Sequence, residues 1–137
     1  MFNKILVATD GSDNSIRGAE RALELAKLTN SEVTIVHVAY IPELYTEDLS
    51  SELKESIIND GKLILKDTEN IFNTNDYPVK TLLIREEKPA NAICRISKDY
   101  DVIVIGSRGL HKQEEKQLGS VSNTVIHCSS CSVFIVK

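Results

Sequence analysis

Residues 101–122 read DVIVIGSRGLHKQEEKQLGSVS, and the fold class follows from how this stretch is built. The run Val102-Ile103-Val104-Ile105 is β-branched throughout and does not alternate with polar residues. Such a run suits a strand buried on both faces, the habit of parallel sheets. Gly106 and Gly109 follow at once, and Gly119-Ser120 comes after nine intervening residues. Glycine lets backbone N–H groups approach a ligand with no Cβ in the way. Ser120 suits the N-cap or first turn of a following helix, whose unpaired N–H groups and dipole favour an anion. Strand, glycine loop and helix start, in that order, is the context a phosphate cradle requires. Glycines after a strand are also ordinary turn punctuation, and at this level both readings stand.

The rest of the chain extends the same pattern. Lys4–Thr9 (KILVAT) is a short apolar run ending in the turn cluster Asp10-Gly11-Ser12, where Ser12 or Asp13 can cap a helix. Ile16, Ala19, Ala22, Leu23 and Ala26 then share one helical face, and Asn30-Ser31 ends it. Gly18 inside that helix costs roughly 1 kcal/mol against alanine, which close packing on a sheet would explain. Glu32–Val38 is a second strand, and Leu49 to Ile71 carries the apolar stripe of a long amphipathic helix. Val79–Ile84 is a third strand, and Pro89 suits the first turn of a helix that faces Ala92, Ile93 and Ile96 inward. A last helix is expected from about Leu118 to His127, followed by the strand Ser132–Val136. Five strands alternating with four helices make an α/β protein, a doubly wound parallel sheet with helices on both faces.

Composition narrows the function classes. A chain of 137 residues is long enough for one domain with its own core, so residues 1–137 are read as a single unit. A net charge of −4 argues against a general binder of nucleic acid or of anionic membranes. No apolar run reaches the length of a membrane span, and the start lacks a signal-peptide pattern, so the expected location is cytoplasmic. Three cysteines, Cys94, Cys128 and Cys131, are an odd number in a chain with a sufficient core, and no disulfide framework is expected. Cys128-Ser-Ser-Cys131 lies between a helix end and a strand, without the helix N-terminus that activates redox dithiols, and supplies only half a zinc site. It is read as structural or incidental. His37, His111 and His127 have no metal-ligand spacing, and His37 reads as a packed residue in a β-run.

With Gly106, Gly109, Gly119 and Ser120 spaced as G-x2-G-x9-G-S, MFNKILVATDGS at the start and GSVSNTVIHCSSCSVFIVK at the end, the sequence resembles the universal stress protein family over its whole length. The spacing is the mark of that family's ATP-binding branch. The resemblance implies a Rossmann-like sheet of order 3-2-1-4-5, whose switch between strands 1 and 4 is where such sheets bind ligands. Asp10 would then stand beside the glycine loop. Ala8 and Thr9 would border the base, Val38 would offer backbone groups to the adenine edge, and Asp10 would accept from the nucleoside. Gly106 would lie near the ribose. Gly109, Gly119, Ser120, Val121 and Ser122 would contact the phosphates, with Arg108 adding positive charge. The implied ligand is ATP, or ADP or AMP, with or without Mg²⁺. On residues alone, Asp10 in D-G-S reads first as a turn-former, and the resemblance reverses that order.

Two departures qualify the match. The family often places a glycine shortly before the proline that opens helix 3, where this chain has Glu87-Lys88-Pro89. Glu87 at the sheet rim would disfavour a polyphosphate. The segment between Gly109 and Gly119 is rich in charge, including Glu114 and Glu115, and is expected to move freely without ligand.

No Walker A lysine, central phosphoacceptor aspartate or general base with its nucleophile appears. The resemblance, together with these absences, implies a nucleotide-dependent sensor or regulator of a stress response with at most slow ATP hydrolysis. The alternatives are a dimeric interaction module that holds no nucleotide and, third, a true ATP-dependent enzyme. In each case Val133-Phe-Ile-Val136 on an edge strand predicts a homodimer through residues 132–137.

Overall fold

The computed structural model describes residues 2–41, 51–108 and 118–137. Its elements are β1 (Lys4–Ala8), α1 (Asp13–Thr29), β2 (Glu32–Ala39), α2 (Ser51–Asn73), β3 (Lys80–Arg85), α3 (Pro89–Ile96), a 3₁₀ turn (Ser97–Asp99), β4 (Val102–Gly106), α4 (Ser120–Cys128) and β5 (Ser132–Val136). The five strands form one sheet in the order β3-β2-β1-β4-β5, and each neighbouring pair is parallel. This is the doubly wound, Rossmann-like topology expected from the sequence.

The unbroken apolar strands follow from burial on both faces. Ile5 and Val7 of β1 pack with α1 and α2 residues such as Ala19, Ala22 and Leu65. Leu6 and Ala8, one residue out of step, join a second cluster with Ala92 and Ile93 of α3 and Val125 of α4. Alternate side chains point to opposite faces, so a strand covered twice has no polar position to spare. Val102, Ile103 and Val104 are each 1% exposed or less.

Local chemistry sets the element boundaries. Ser12 is the N-cap of α1, its side chain accepting from the Ser15 amide, and Asn30 closes the helix in the left-handed region. Gly18 lies against β4, where an added Cβ would meet the Gly106 nitrogen at 3.6 Å; close packing does account for it. At the opposite end of the sheet, one carboxylate oxygen of Asp101 accepts the amides of Asn3 and Lys4 at 2.8 and 2.9 Å, fixing β1 beside β4.

The cysteines correct the sequence-based expectation. Cys94 of α3 and Cys128 of α4 are joined by a disulfide, with their Cα atoms 5.7 Å apart, and Cys131 is free. Counting cysteines could not show this, because the two residues meet only where α3 and α4 pack side by side on one face of the sheet.

A candidate nucleotide cleft at the sheet's switch point

The chain turns in opposite directions after β1 and after β4, leaving a crevice at the carboxyl ends of these strands. A cleft of about 360 Å³ occupies it, within the range of small-molecule sites. Ala8, Thr9, Asp10, Val38, Gly106, Arg108, Gly119, Ser120, Val121 and Ser122 all line it. Residues a hundred positions apart thus meet at one place. Gly109, His111 and the charged segment up to residue 117 lie outside the described residues.

Each wall has its own character. Val36 and Val38 come from one face of β2, Ile105 from β4, and Pro89 and Ile93 from successive turns of α3; together they make an apolar slot. Of these, the sequence reading named only Val38 as a site residue and gave Pro89, Ile93 and Ile105 structural roles alone. The alternation of β2 and the four-residue spacing from Pro89 to Ile93 are the signals that could have found them. Ser15 and His37 complete the lining.

The opposite wall is the start of α4. Gly119 is its N-cap and makes no side-chain capping bond. Its own amide donates to the Ser107 carbonyl at 2.6 Å, and the first bond closing the helix runs from the Asn123 amide to the Gly119 carbonyl. The amides of Ser120, Val121 and Ser122 belong to the first turn, which an α-helix leaves without internal partners. The Ser122 hydroxyl is already engaged, donating to the carbonyls of Ser107 and Gly119 at 3.2 and 3.1 Å. What Ser122 offers a ligand is its backbone, not its side chain.

Asp10 forms the turn that its D-G-S setting suggests, and it also borders the cleft. One carboxylate oxygen accepts the Ser12 amide at 2.9 Å, an Asx turn, while the residue still lines the cleft. Thr9 is held on all sides: its hydroxyl is 3.2 Å from those of Ser15 and Thr68, and its carbonyl accepts from His37 Nδ1 at 2.8 Å. That bond puts the proton of a neutral His37 on Nδ1 and gives the ring a packing and positioning task.

The geometry adds to two sequence readings. An added Cβ at Gly106 would sit 2.4 Å from Asn14 Oδ1, so this glycine makes room for Asn14. That residue, missed in the sequence, is 5% exposed and reaches across to the backbone of Arg108 and Val136. Glu87 is not a bare charge at the rim. Arg95 donates to both its carboxylate oxygens, at 2.6 and 3.2 Å, and the hydrogen bond and charge of Glu87 raise the Arg95 pKa further above its ordinary value.

Comparison with known proteins identifies the family and the fold. A universal stress protein from Bacillus subtilis (strain 168), YxiE, is 35% identical over 153 residues, covering all of both chains. The solved structure of protein MJ0577 superposes with a TM-score of 0.88 at 29% identity, covering 100% of this chain and 96% of that one. A universal stress protein from Archaeoglobus fulgidus, solved in complex with dAMP, shares the fold at a TM-score of 0.75 and 24% identity, covering 100% and 98%. Others of this fold were solved in complex with cAMP and with AMP bound. The family model for universal stress proteins matches residues 1–137, and the chain belongs to the universal stress protein family.

Proposed function

We propose that this chain binds an adenine nucleotide, ATP or its products ADP and AMP, in the cleft between β1 and β4. It would act as a nucleotide-dependent sensor or regulator in a stress response, with at most slow hydrolysis. The observation that carries the reading is the juxtaposition of an apolar slot, walled by Val36, Val38, Ile93 and Ile105, with the first turn of α4, whose N-cap Gly119 makes no side-chain capping bond. A purine ring prefers apolar walls, and phosphates prefer unpaired N–H groups at a helix N-terminus. Ala8 and Thr9 would border the base, Asp10 would accept from the nucleoside, and Gly106 would lie near the ribose. Arg108 and Gly109 would act on the phosphate side with Gly119. Mg²⁺ accompanying ATP would be held chiefly by phosphate oxygens and water. Solved members of this fold with adenine mononucleotides lend support.

The reading includes a homodimer and a cytoplasmic location. Among the described residues β5 is an edge strand pairing only with β4, and its Phe134 is 49% exposed; pairing with a second copy would cover it. No helix among the described residues is long and apolar enough to cross a membrane. The same exposed strand supports the second reading, a dimeric interaction module without nucleotide.

Titration calorimetry with adenosine, AMP and ATP separates the two. Gly119→Val should weaken ATP by roughly 2 kcal/mol or more, since phosphate hydrogen bonds of about 1.5–3 kcal/mol each are at stake, and should spare adenosine. Asp10→Ala should weaken all three ligands by similar factors. Ligand-free wild-type protein that shows no ATP binding down to millimolar affinity would leave the interaction module standing.

A further inference from the structure

We propose that the Cys94–Cys128 disulfide is a reversible redox modification site that sets α3 against α4 and thereby tunes the nucleotide cleft; the ligand rests on the reading above. Cys94 follows Ile93, which lines the cleft, and Cys128 ends the helix whose first turn lines it. From Cys128 to Ser120 is about 12 Å of helix at 1.5 Å per residue, a rigid lever. A change of register where the two cysteines meet is therefore felt at the cleft.

Three features make the bond a switch and not a structural staple. Ala92, Ile93 and Val125 are at most 3% exposed and join α3, α4 and the sheet in one apolar cluster. The helices therefore pack without a covalent tie, in a chain large enough to need none. Cys128 is exposed and Cys94 half-buried, so a small thiol can reach the bond. A second tie survives its opening: the Ser97 hydroxyl, fully buried, donates to the Cys94 carbonyl at 2.7 Å and accepts the Ser130 amide at 2.9 Å. Reduction thus loosens the helix pair without releasing it. Ser129 is extended, with φ −66° and ψ 139°, and Cys128 pairs across the helices instead of along its own turn with Cys131.

The chemistry is thiol–disulfide exchange with a small-molecule thiol. Its thiolate attacks Sγ of Cys128, the S–S bond breaks, and the electron pair leaves on Sγ of Cys94, which takes up a proton. A second thiol then attacks the mixed disulfide, freeing the Cys128 thiol and forming the small-molecule disulfide. The protein gains two electrons and two protons, and the small-molecule disulfide drives the reverse reaction.

The test uses the full chain equilibrated with reduced or oxidised glutathione. Alkylation and peptide mapping should label Cys131 alone in the oxidised form and all three cysteines in the reduced form. Reduction should lower Tm by roughly 10 °C, speed hydrogen exchange in residues 118–128, and change ATP affinity about fivefold or more. Cys94→Ser should behave as the reduced form in either buffer, and Cys131→Ser should respond as wild type does. Three labelled thiols after oxidation would overturn the proposal. So would unchanged exchange in α4, or ATP affinities equal in the two forms. If neither form binds ATP, the nucleotide reading falls, and the tuning of affinity with it, while mapping and exchange still decide the bond.

Discussion

The side-chain oxygen of Asn14 accepts the Arg108 amide at 2.7 Å, joining the first turn of α1 to the chain just beyond β4. The same side chain donates to the Val136 carbonyl at 3.3 Å, so one buried amide ties three carboxyl-end segments of the fold. Only a glycine at 106 leaves room for it. The positions of Arg108 and the cleft's floor depend on this pair as much as on the strands.

Asn14→Ala should therefore destabilise the protein by about 1–3 kcal/mol, the cost of leaving buried polar groups unpaired, and weaken ATP binding. Gly106→Ala should do the same by displacing the Asn14 side chain. The double variant should cost less than the sum, because both changes break one interaction. Urea denaturation of the four proteins checks this; full additivity would show that Gly106 serves another purpose.

Gly61 of α2 makes room for His37. An added Cβ would lie 2.9 Å from His37 Cδ2 and 3.1 Å from Leu83 Cδ1, and these two side chains stand opposite each other on β2 and β3. Alanine is the better helix former by about 1 kcal/mol, yet Gly61→Ala should lower stability by about 1–3 kcal/mol through overpacking. Thermal unfolding that shows a more stable Gly61→Ala protein would contradict this packing.

Glu86 sits at φ +67°, just before Glu87-Lys88-Pro89. A left-handed non-glycine residue costs about 1–2 kcal/mol, and glycine recovers that less its own entropy cost of about 0.5–1 kcal/mol. Glu86→Gly is expected to raise stability by about 0.5–1 kcal/mol, measured by chemical denaturation, and Glu86→Val to lower it.

Burial raises the Tyr77 hydroxyl above its ordinary pKa, and the hydroxyl donates to the carbonyls of Ser31 and Ala26. The fold therefore holds the Tyr77 proton more tightly than the unfolded chain does. Its contribution is fully present below about pH 10, the ordinary tyrosine value, and is lost as pH rises through the raised value. Tyr77→Phe should lower stability at neutral pH by about 1 kcal/mol and should flatten the loss of stability above pH 10. Denaturation series at pH 7 and in the alkaline range would show whether the two slopes differ.

The fold was legible because a parallel sheet covered on both faces leaves its mark along the chain. Val102–Ile105 has no polar alternation, since both of its faces are buried. Ser12 and Asn30 are caps by local chemistry alone. Much of the cleft was legible too, because Gly106 ends a strand, Asp10 follows one and Gly119 opens a helix. What the sequence could not state was who meets whom. Asn14 looks like one more polar residue in a helix start until β4 and β5 bring Arg108 and Val136 within its reach. Cys94 pairs with Cys128, 34 positions away, and not with a neighbour. Glu87, read as a repelling charge, is neutralised by Arg95 from the next helix. Periodicity and caps depend on neighbours within a few residues and are written in the sequence; hydrogen-bond partners, ion pairs and disulfides depend on distances that exist only once the helices are laid on the sheet.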